Sequence, residues 1–347
     1  VSILRPVSGT SREVVEHLAT WLAEPAEPEP LVVETSGSTG APKRVVLSRR
    51  AVLASVAATE RRLGGSGRWL LALPASYVAG VQVICRSLVA GHEPVLLEEV
   101  GSFAAGVEAG SRFTSLVPTQ LHRMLDAPGE VAALRGFHTV LLGGGPIDGS
   151  LRARAAGAGV HVVSTYGSAE TAGGCVYDGH ALDGVALALG PDGRIRVAGP
   201  TLFDGYDGDP ALTAEALVDG WFLTADAGRL DEDGRLHVLG RLDDVVVSGG
   251  VNVPTPAVAA RLREHPAVRA AEVLGVADEE WGQRVVAFVV PAGQAGSADG
   301  GLTLAQARDW VARVHPRSWA PRSLVPLDDV PLLPNGKPDR LRLRGLA

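Results

Sequence analysis

At 347 residues, 46% of them hydrophobic, the chain can build a large core and two domains. A formal charge of −7 disfavours a nucleic-acid partner, two cysteines make neither a disulfide framework nor a metal site, and nine histidines show no zinc-ligand spacing. No apolar run approaches the length of a membrane span and the N-terminus lacks a signal-peptide pattern, so a cytoplasmic protein with no membrane insertion is expected.

Thr10 and Glu13 form a capping box, and Val14, Val15, Leu18, Trp21 and Leu22 follow helical spacing behind it. A Pro/Glu connector, Glu24 to Pro30, leads to Thr35-Ser36-Gly37-Ser38-Thr39-Gly40-Ala41-Pro42-Lys43. Glycines let a backbone turn sharply and approach a ligand. Successive N–H groups and hydroxyls form a concavity for anions, and the closing Lys43 adds a point charge. Such a loop suits the outer phosphates of a nucleotide. It is not a Walker loop, because Pro42 precedes Lys43 and Arg44 follows it. The apolar runs Leu31-Val32-Val33 and Val45-Val46-Leu47 set it inside a folded domain.

Ser48 caps a predicted helix to about Leu63. Strands are predicted at Trp69 to Leu73, Pro94 to Leu97, Phe113 to Val117, Thr139 to Leu142 and Val160 to Ser164. Helical stretches at Ala79 to Ala90, Thr119 to Asp126 and Ile147 to Ala156 lie between them, an alternation that argues for an α/β layer with a mostly parallel sheet. From Gly184 the turns crowd together (Pro191-Asp192-Gly193, Asp207-Gly208-Asp209-Pro210, Asp219-Gly220, Asp233-Gly234), which predicts a β-rich subdomain. A smaller portion follows Arg241-Leu242-Asp243-Asp244. It has a helix around Val258 to Leu262, strands near Val268 to Val276 and Arg284 to Val290, and a Gly/Ala loop at Ala292 to Gly301. A helix from Leu304 to Val314 and a polar tail complete it. The expected fold is α/β: a large N-terminal α/β domain with a β-rich subdomain, and a small mobile C-terminal α+β domain.

Two further stretches carry chemistry. Gly143-Gly144-Gly145-Pro146 follows an apolar strand, where a sheet either presents a ligand or makes a tight turn. Tyr166-Gly167-Ser168-Ala169-Glu170-Thr171 follows another. A hard cation between phosphate oxygens needs one or two carboxylates, and Glu170 is a candidate. Cys175 reads as packing, since nothing nearby marks it as a nucleophile.

The Thr35–Lys43 stretch resembles the phosphate-binding motif of the adenylate-forming superfamily of acyl-CoA synthetases, luciferases and peptide-synthetase adenylation domains, with Arg44 in place of the usual Gly. That resemblance extends in order to Lys337. It implies that Gly143, Gly144, Gly145 and Pro146 hold adenine together with the loop of Tyr166 and Gly167, Tyr166 lying against the base, that Thr171 or Ser168 supplies the phosphate-side hydroxyl, and that Glu170 binds magnesium. Ala169 stands where the family has Thr or Ser. Asp226 and Arg241 would contact the ribose. Asp243 would be a hinge dividing residues 1–242 from 243–347. Ser248, Gly249 and Gly250 would line the thiol entry, and Lys337 in Pro334-Asn335-Gly336-Lys337 would be the catalytic lysine. Lys43 and Glu170 complete the implied catalytic set.

The implied reaction joins a small-molecule carboxylate to coenzyme A through an acyl-adenylate, using ATP and Mg2+ and no permanently bound organic cofactor. A homo-oligomer is left open. Within the superfamily, three segments resemble those of actinobacterial o-succinylbenzoate–CoA ligases of menaquinone synthesis: Leu73-Pro74 to Gln82, Ser115 to Arg123, and Gly173 to Gly179. The short stretch before the phosphate loop points the same way. Ser76, Tyr77, Gly80 and Arg123 are then candidates for holding the acid, Arg123 because a planar fork suits a second carboxylate. Tyr77 stands where the family commonly has His. Rival readings are another aryl- or acyl-CoA ligase, a stand-alone carrier-loading adenylation enzyme, and a catalytically silent nucleotide binder.

Overall fold

The computed structural model describes residues 3–35, 42–145, 147, 149–292, 302–331 and 338–347. The chain packs as two compact units. One comprises Val1–Ala188, Arg196–Thr224 and Leu230–Leu236; the other comprises Leu189–Ile195, Ala225–Arg229 and His237–Ala347.

The first unit opens with α1 (Ser11–Ala23), on which Thr10 and Glu13 close the expected capping box. Strands β1 (Leu31–Thr35) and β2 (Lys43–Leu47) form an antiparallel hairpin in which Thr35 is the register partner of Lys43. Helix α2 (Arg49–Leu63) starts on the Ser48 cap and stops at Gly64 in the left-handed region. Then come β3 (Trp69–Leu71), α3 (Val78–Val89), β4 (Val95–Leu96), α4 (Leu97–Val100), α5 (Phe103–Glu108), β5 (Phe113–Leu116), α6 (Pro118–Met124), α7 (Pro128–Arg135), β6 (Thr139–Leu142), α8 (Gly149–Gly157) and β7 (Val162–Ser168). β8 (Gly173–Tyr177) and β9 (His180–Ala181) fold back antiparallel. The sheet order is β4-β3-β5-β6-β7-β8-β9, parallel from β4 to β7.

Both faces of this sheet are buried. Successive side chains of a strand point to opposite faces. Trp69, Leu71, Phe113, Leu141 and Val163 accordingly join one core with Leu18, Val52 and Ile84 of α1, α2 and α3. Leu70, Leu116, Val140 and Leu142 join another with Leu121, Leu134 and Leu151 of α6, α7 and α8. Burial on both faces makes such strands continuous apolar runs, which is why they were readable without alternation. Helices α4, α5 and α7 were not expected; each is short, and Gly106 interrupts the pattern of α5.

The turn-rich region holds β10 (Ala186–Leu189), β11 (Arg194–Ala198), β12 (Gly205–Tyr206), α9 (Pro210–Ala216), β13 (Leu217–Val218), β14 (Trp221–Leu230) and β15 (Leu236–Arg241). β12 adds to β2, with Tyr206 opposite Val45. Asp219 and Gly220, both at positive φ, make the two-residue turn between β13 and β14.

In the second unit β16 (Val245–Ser248) and β17 (Val251–Pro254) form a hairpin. It is followed by α10 (Thr255–Arg263), β18 (Val268–Asp278), β19 (Gly282–Pro291), α11 (Leu304–Ala312), β20 (Ser323–Pro326) and α12 (Arg340–Arg344). The sheet runs β17-β16-β19-β18, with β20 parallel to β19. Val258, Leu262, Ala307 and Val311 cover one face with Val273, Val285, Ala287 and Val289, while Leu343 meets Leu274, Val286 and Phe288 on the other. Most of the expected Gly/Ala loop, 293–301, lies outside the described residues. No helix among the described residues is long and apolar enough to cross a membrane.

Candidate functional site

In a parallel sheet the ligand crevice lies outside the carboxyl ends of the strands. Gly143 to Gly145 leave β6 at that edge, where the Gly143 N–H donates to the Leu116 carbonyl of β5 at 3.1 Å. On β7, the Thr165 hydroxyl donates to the Leu142 carbonyl at 3.3 Å. Tyr166 is the next residue of β7, opposite Val176, so the structure brings the two candidate adenine segments together. Pro146 lies outside the described residues.

The second of these segments is less of a loop than the sequence suggested. β7 runs on to Ser168, and a single 3-10 turn, Ala169–Thr171, joins it to β8. The turn is self-contained. The Thr171 hydroxyl accepts from the Ser168 N–H at 2.9 Å and donates to the Gly173 carbonyl at 2.7 Å, and Thr171 is 2% exposed. Its hydroxyl, expected on the nucleotide, is committed to the turn. The Ser168 Oγ is buried with no partner among the described residues.

That turn projects Glu170, which is 8% exposed, and its Oε1 accepts from the Tyr206 hydroxyl at 2.9 Å. The Tyr206 ring in turn lies beneath Lys43, with the ammonium 5.3 Å from its centroid. Burial and the neighbouring Glu170 push the phenol's pKa well above its ordinary value, so it stays a donor. Lys43 and Glu170 are thus joined through a residue that sequence reasoning missed. No signal near Gly205-Tyr206 names these partners; its backbone is held locally, the Thr213 hydroxyl accepting from the Tyr206 N–H at 2.8 Å. Ser36, Gly37, Ser38, Thr39 and Gly40 lie outside the described residues; Thr35 and Lys43, which bound them, are paired. Arg44 salt-bridges Asp207 at 3.1 Å, and the Asp207 N–H donates to the Arg44 carbonyl at 2.8 Å, tying β2 to the end of β12.

Of the acid-side candidates, Ser76 and Tyr77 precede α3 and Tyr77 is 56% exposed. Gly80 is buried where a Cβ would fall 2.1 Å from the Pro74 carbonyl oxygen. Arg123 is exposed near the end of α6, roughly 9 Å along the axis from Val117, with no ion pair among the described residues. Gln120 is the residue of that segment with structural work: it accepts from the Val117 N–H and donates to the Ala72 carbonyl, both at 3.0 Å.

Both cysteines are fully buried, and burial pushes each thiol up to about 12. The thiolate is the reactive form. Neither Cys85 nor Cys175 is therefore expected to react with a maleimide in the folded protein, and both are expected to react in denaturant. Rapid labelling of Cys175 without unfolding would refute its role as packing.

In the second unit Asp226 and Arg241 are brought together, Nε to Oδ1 at 3.9 Å. Of Asp243, the candidate hinge, only the backbone within the 3-10 turn Leu242–Asp244 is described. Asp244 beside it receives both guanidinium nitrogens of Arg340, Nη2 to Oδ2 at 3.1 Å, and its carbonyl accepts from the Thr255 hydroxyl at 2.9 Å. Ser248 to Gly250 form the β16–β17 turn, where the Gly249 N–H donates to the Trp281 carbonyl at 3.0 Å. Lys337 lies outside the described residues; the flanking Asp339 N–H donates to the Pro331 carbonyl at 2.8 Å.

Two family models match the chain: AMP-binding enzyme over residues 23–204, and AMP-binding enzyme C-terminal domain over residues 257–337. A probable 2-succinylbenzoate–CoA ligase of Mycobacterium tuberculosis is 43% identical over 90% of this chain and 83% of its own length. A 2-succinylbenzoate–CoA ligase of Bacillus mycoides is 32% identical over 76% of this chain, which spans 60% of that relative. Among solved structures, o-succinylbenzoate CoA synthetase from Bacillus subtilis, in complex with its acyl-adenylate intermediate, has a TM-score of 0.74 at 26% identity, covering 90% of this chain and 68% of the other. The amide bond synthetase McbA from Marinactinospora thermotolerans has a TM-score of 0.76 at 31% identity with the same coverage. With both models matched and a relative alike over most of both lengths, the chain belongs to the AMP-binding enzyme family.

Proposed function

We propose that this chain is an ATP-dependent acid–CoA ligase that converts o-succinylbenzoate to its CoA thioester, a step of menaquinone synthesis. The observation that carries the chemistry is the Lys43–Tyr206–Glu170 assembly, a cation and a carboxylate held together beside the carboxyl edge of the parallel sheet. The substrate rests on the likeness to 2-succinylbenzoate–CoA ligases.

In the first half-reaction a carboxylate oxygen of the acid attacks the α-phosphorus of ATP. The bond from that phosphorus to the bridging oxygen breaks, and pyrophosphate leaves with the electron pair. Thr35 to Gly40 and Lys43 hold the outer phosphates, Gly143 to Pro146, Tyr166 and Gly167 hold adenine, and Asp226 and Arg241 hold the ribose. In the second, the thiol sulfur of CoA attacks the acyl carbon, the carbon–oxygen bond of the mixed anhydride breaks, the thiol proton is lost to solvent, and AMP leaves. Ser248, Gly249 and Gly250 serve this step, with Asp243 as the pivot between residues 1–242 and 243–347. Ser76, Tyr77 and Gly80 border the acid, and Arg123 is the proposed donor to its second carboxylate.

Magnesium binds through one or two carboxylates plus substrate phosphates. The described residues fit that habit: none form a cage of three or more His, Cys, Asp or Glu, and Glu170 supplies one carboxylate. When bound there, the ion would neutralise phosphate charge.

The test is release of AMP and pyrophosphate from Mg-ATP and CoA, with o-succinylbenzoate set against benzoates and fatty acids. Release that requires o-succinylbenzoate, with a thioester formed, is the expected result. Release with another acid alone would overturn the substrate and keep the reaction; no release with any acid would overturn both. The likeness to an amide bond synthetase favours one second reading, in which an amine takes the place of CoA. Product formed with amines and none with CoA would select it.

A further inference from the structure

The reaction assigns Tyr206 no task, yet its side chain meets both Lys43 and Glu170. We infer that Tyr206 is a positioning residue for the phosphate end of the nucleotide site. Its phenol fixes the Glu170 carboxylate and its ring face fixes the Lys43 ammonium, so that both meet the phosphates in one arrangement. This rests on the roles proposed above for Lys43 and Glu170.

A buried tyrosine hydroxyl usually finds some partner, so the hydrogen bond alone would mean little. Here the partner is the one carboxylate on the 3-10 turn, and the bond is charge-assisted in a buried place. It occupies Oε1 and leaves Oε2 with no hydrogen bond among the described residues, so one oxygen is steered and the other is kept for a cation. The ring is equally constrained. Tyr206 pairs with Val45 on the strand that begins at Lys43, its N–H is held by Thr213, and Phe203 packs edge-on at 4.9 Å. The Phe203 N–H donates to the Glu170 carbonyl at 3.0 Å, so the same short segment also holds the turn's backbone. Three separate pieces of chain, around 43, 170 and 206, are therefore set by one side chain. Ligand-orienting partners of this kind typically change metal affinity about 10- to 100-fold when removed.

Tyr206→Phe removes one oxygen and keeps the ring, its packing and the Lys43 contact. Two readouts apply: thermal stabilisation by ATP as magnesium is titrated, and the magnesium dependence of acid-dependent ATP–pyrophosphate exchange. The half-saturating magnesium concentration is expected to rise about 10-fold in both, with the stabilisation by ATP without magnesium, measured from each protein's own unliganded melting temperature, unchanged. Thr213→Val removes the acceptor of the Tyr206 N–H and touches neither Lys43 nor Glu170; a smaller rise in the same direction is expected. Glu170→Gln is the control. If it weakens magnesium dependence while the Tyr206 and Thr213 variants match wild type, the inference is overturned and the role of Glu170 stands. If Glu170→Gln also matches wild type, the proposed role of Glu170 falls and the inference with it.

Discussion

Gly167→Ala is expected to lower the melting temperature by about 5 °C and adenylate formation by about 100-fold. Gly167 sits on β7 opposite Gly174, next to a register irregularity. A Cβ there would lie 2.1 Å from the Gly173 carbonyl oxygen, 2.8 Å from its carbon and 2.8 Å from the Gly174 Cα. All three are backbone atoms, so no rotamer change relieves the clash, and β7 and β8 must part. Overpacking of this kind costs about 1–3 kcal/mol. The activity loss has a separate cause. The turn that carries Glu170 spans these two strands, so parting them moves the carboxylate, and misplacement by about 1 Å can cost a hundredfold in rate. Calorimetry and ATP–pyrophosphate exchange read the two effects. Gly157→Ala, where nothing lies within 4 Å of the added Cβ, is the neutral comparison. Wild-type stability and rate in Gly167→Ala would mean that the strands separate freely and the turn is not rigid.

Lys337→Ala is expected to reduce adenylate formation by about 10²- to 10³-fold while leaving thioester formation from a supplied adenylate near wild type. Attack on the α-phosphorus builds negative charge on the phosphate and leaving-group oxygens. A cation aimed at those oxygens stabilises the transition state more than the ground state. Thiol attack on the acyl carbon builds its charge elsewhere. Single-turnover assays of each half-reaction separate the two steps, and equal losses in both would remove the role given to Lys337.

The candidate segments that follow one another along the chain were legible in the sequence as candidates. The glycine-rich stretch before Lys43, the glycines after β6 and the Glu170 segment each declare themselves within a few residues, because turn chemistry is local. The strands of the large sheet were legible because burial on both faces makes each a continuous apolar run. What escaped were contacts between distant residues. Tyr206 is 36 positions from Glu170, and nothing in Gly205-Tyr206 names its partner. Arg340 is 96 positions from Asp244. Thr171 shows a use that the sequence did not announce. A hydroxyl beside a candidate ligand loop invites a ligand role, but a tight 3-10 turn has its own backbone groups to satisfy and took the hydroxyl for that. The short helices α4, α5 and α7 were missed because one or two turns carry too few residues to establish a period.

The grip of Arg340 on Asp244 ties the residue after the candidate hinge to the start of α12. A guanidinium bound to a carboxylate at two points resists twisting about the line that joins them. Asp339 on Pro331 clamps the other side of the segment that holds Lys337. Pro331 and Asp339, the described residues nearest this segment, are thus tied to each other, and Arg340 beside Asp339 is tied to Asp244. A torsion at position 245 or beyond would wrench one jaw of the clamp against the other, whereas a torsion at 242 or 243 carries both jaws along. With Asp243 as the proposed pivot, Asp244 and Arg340 would travel as one piece on its C-terminal side, coupled by one salt bridge.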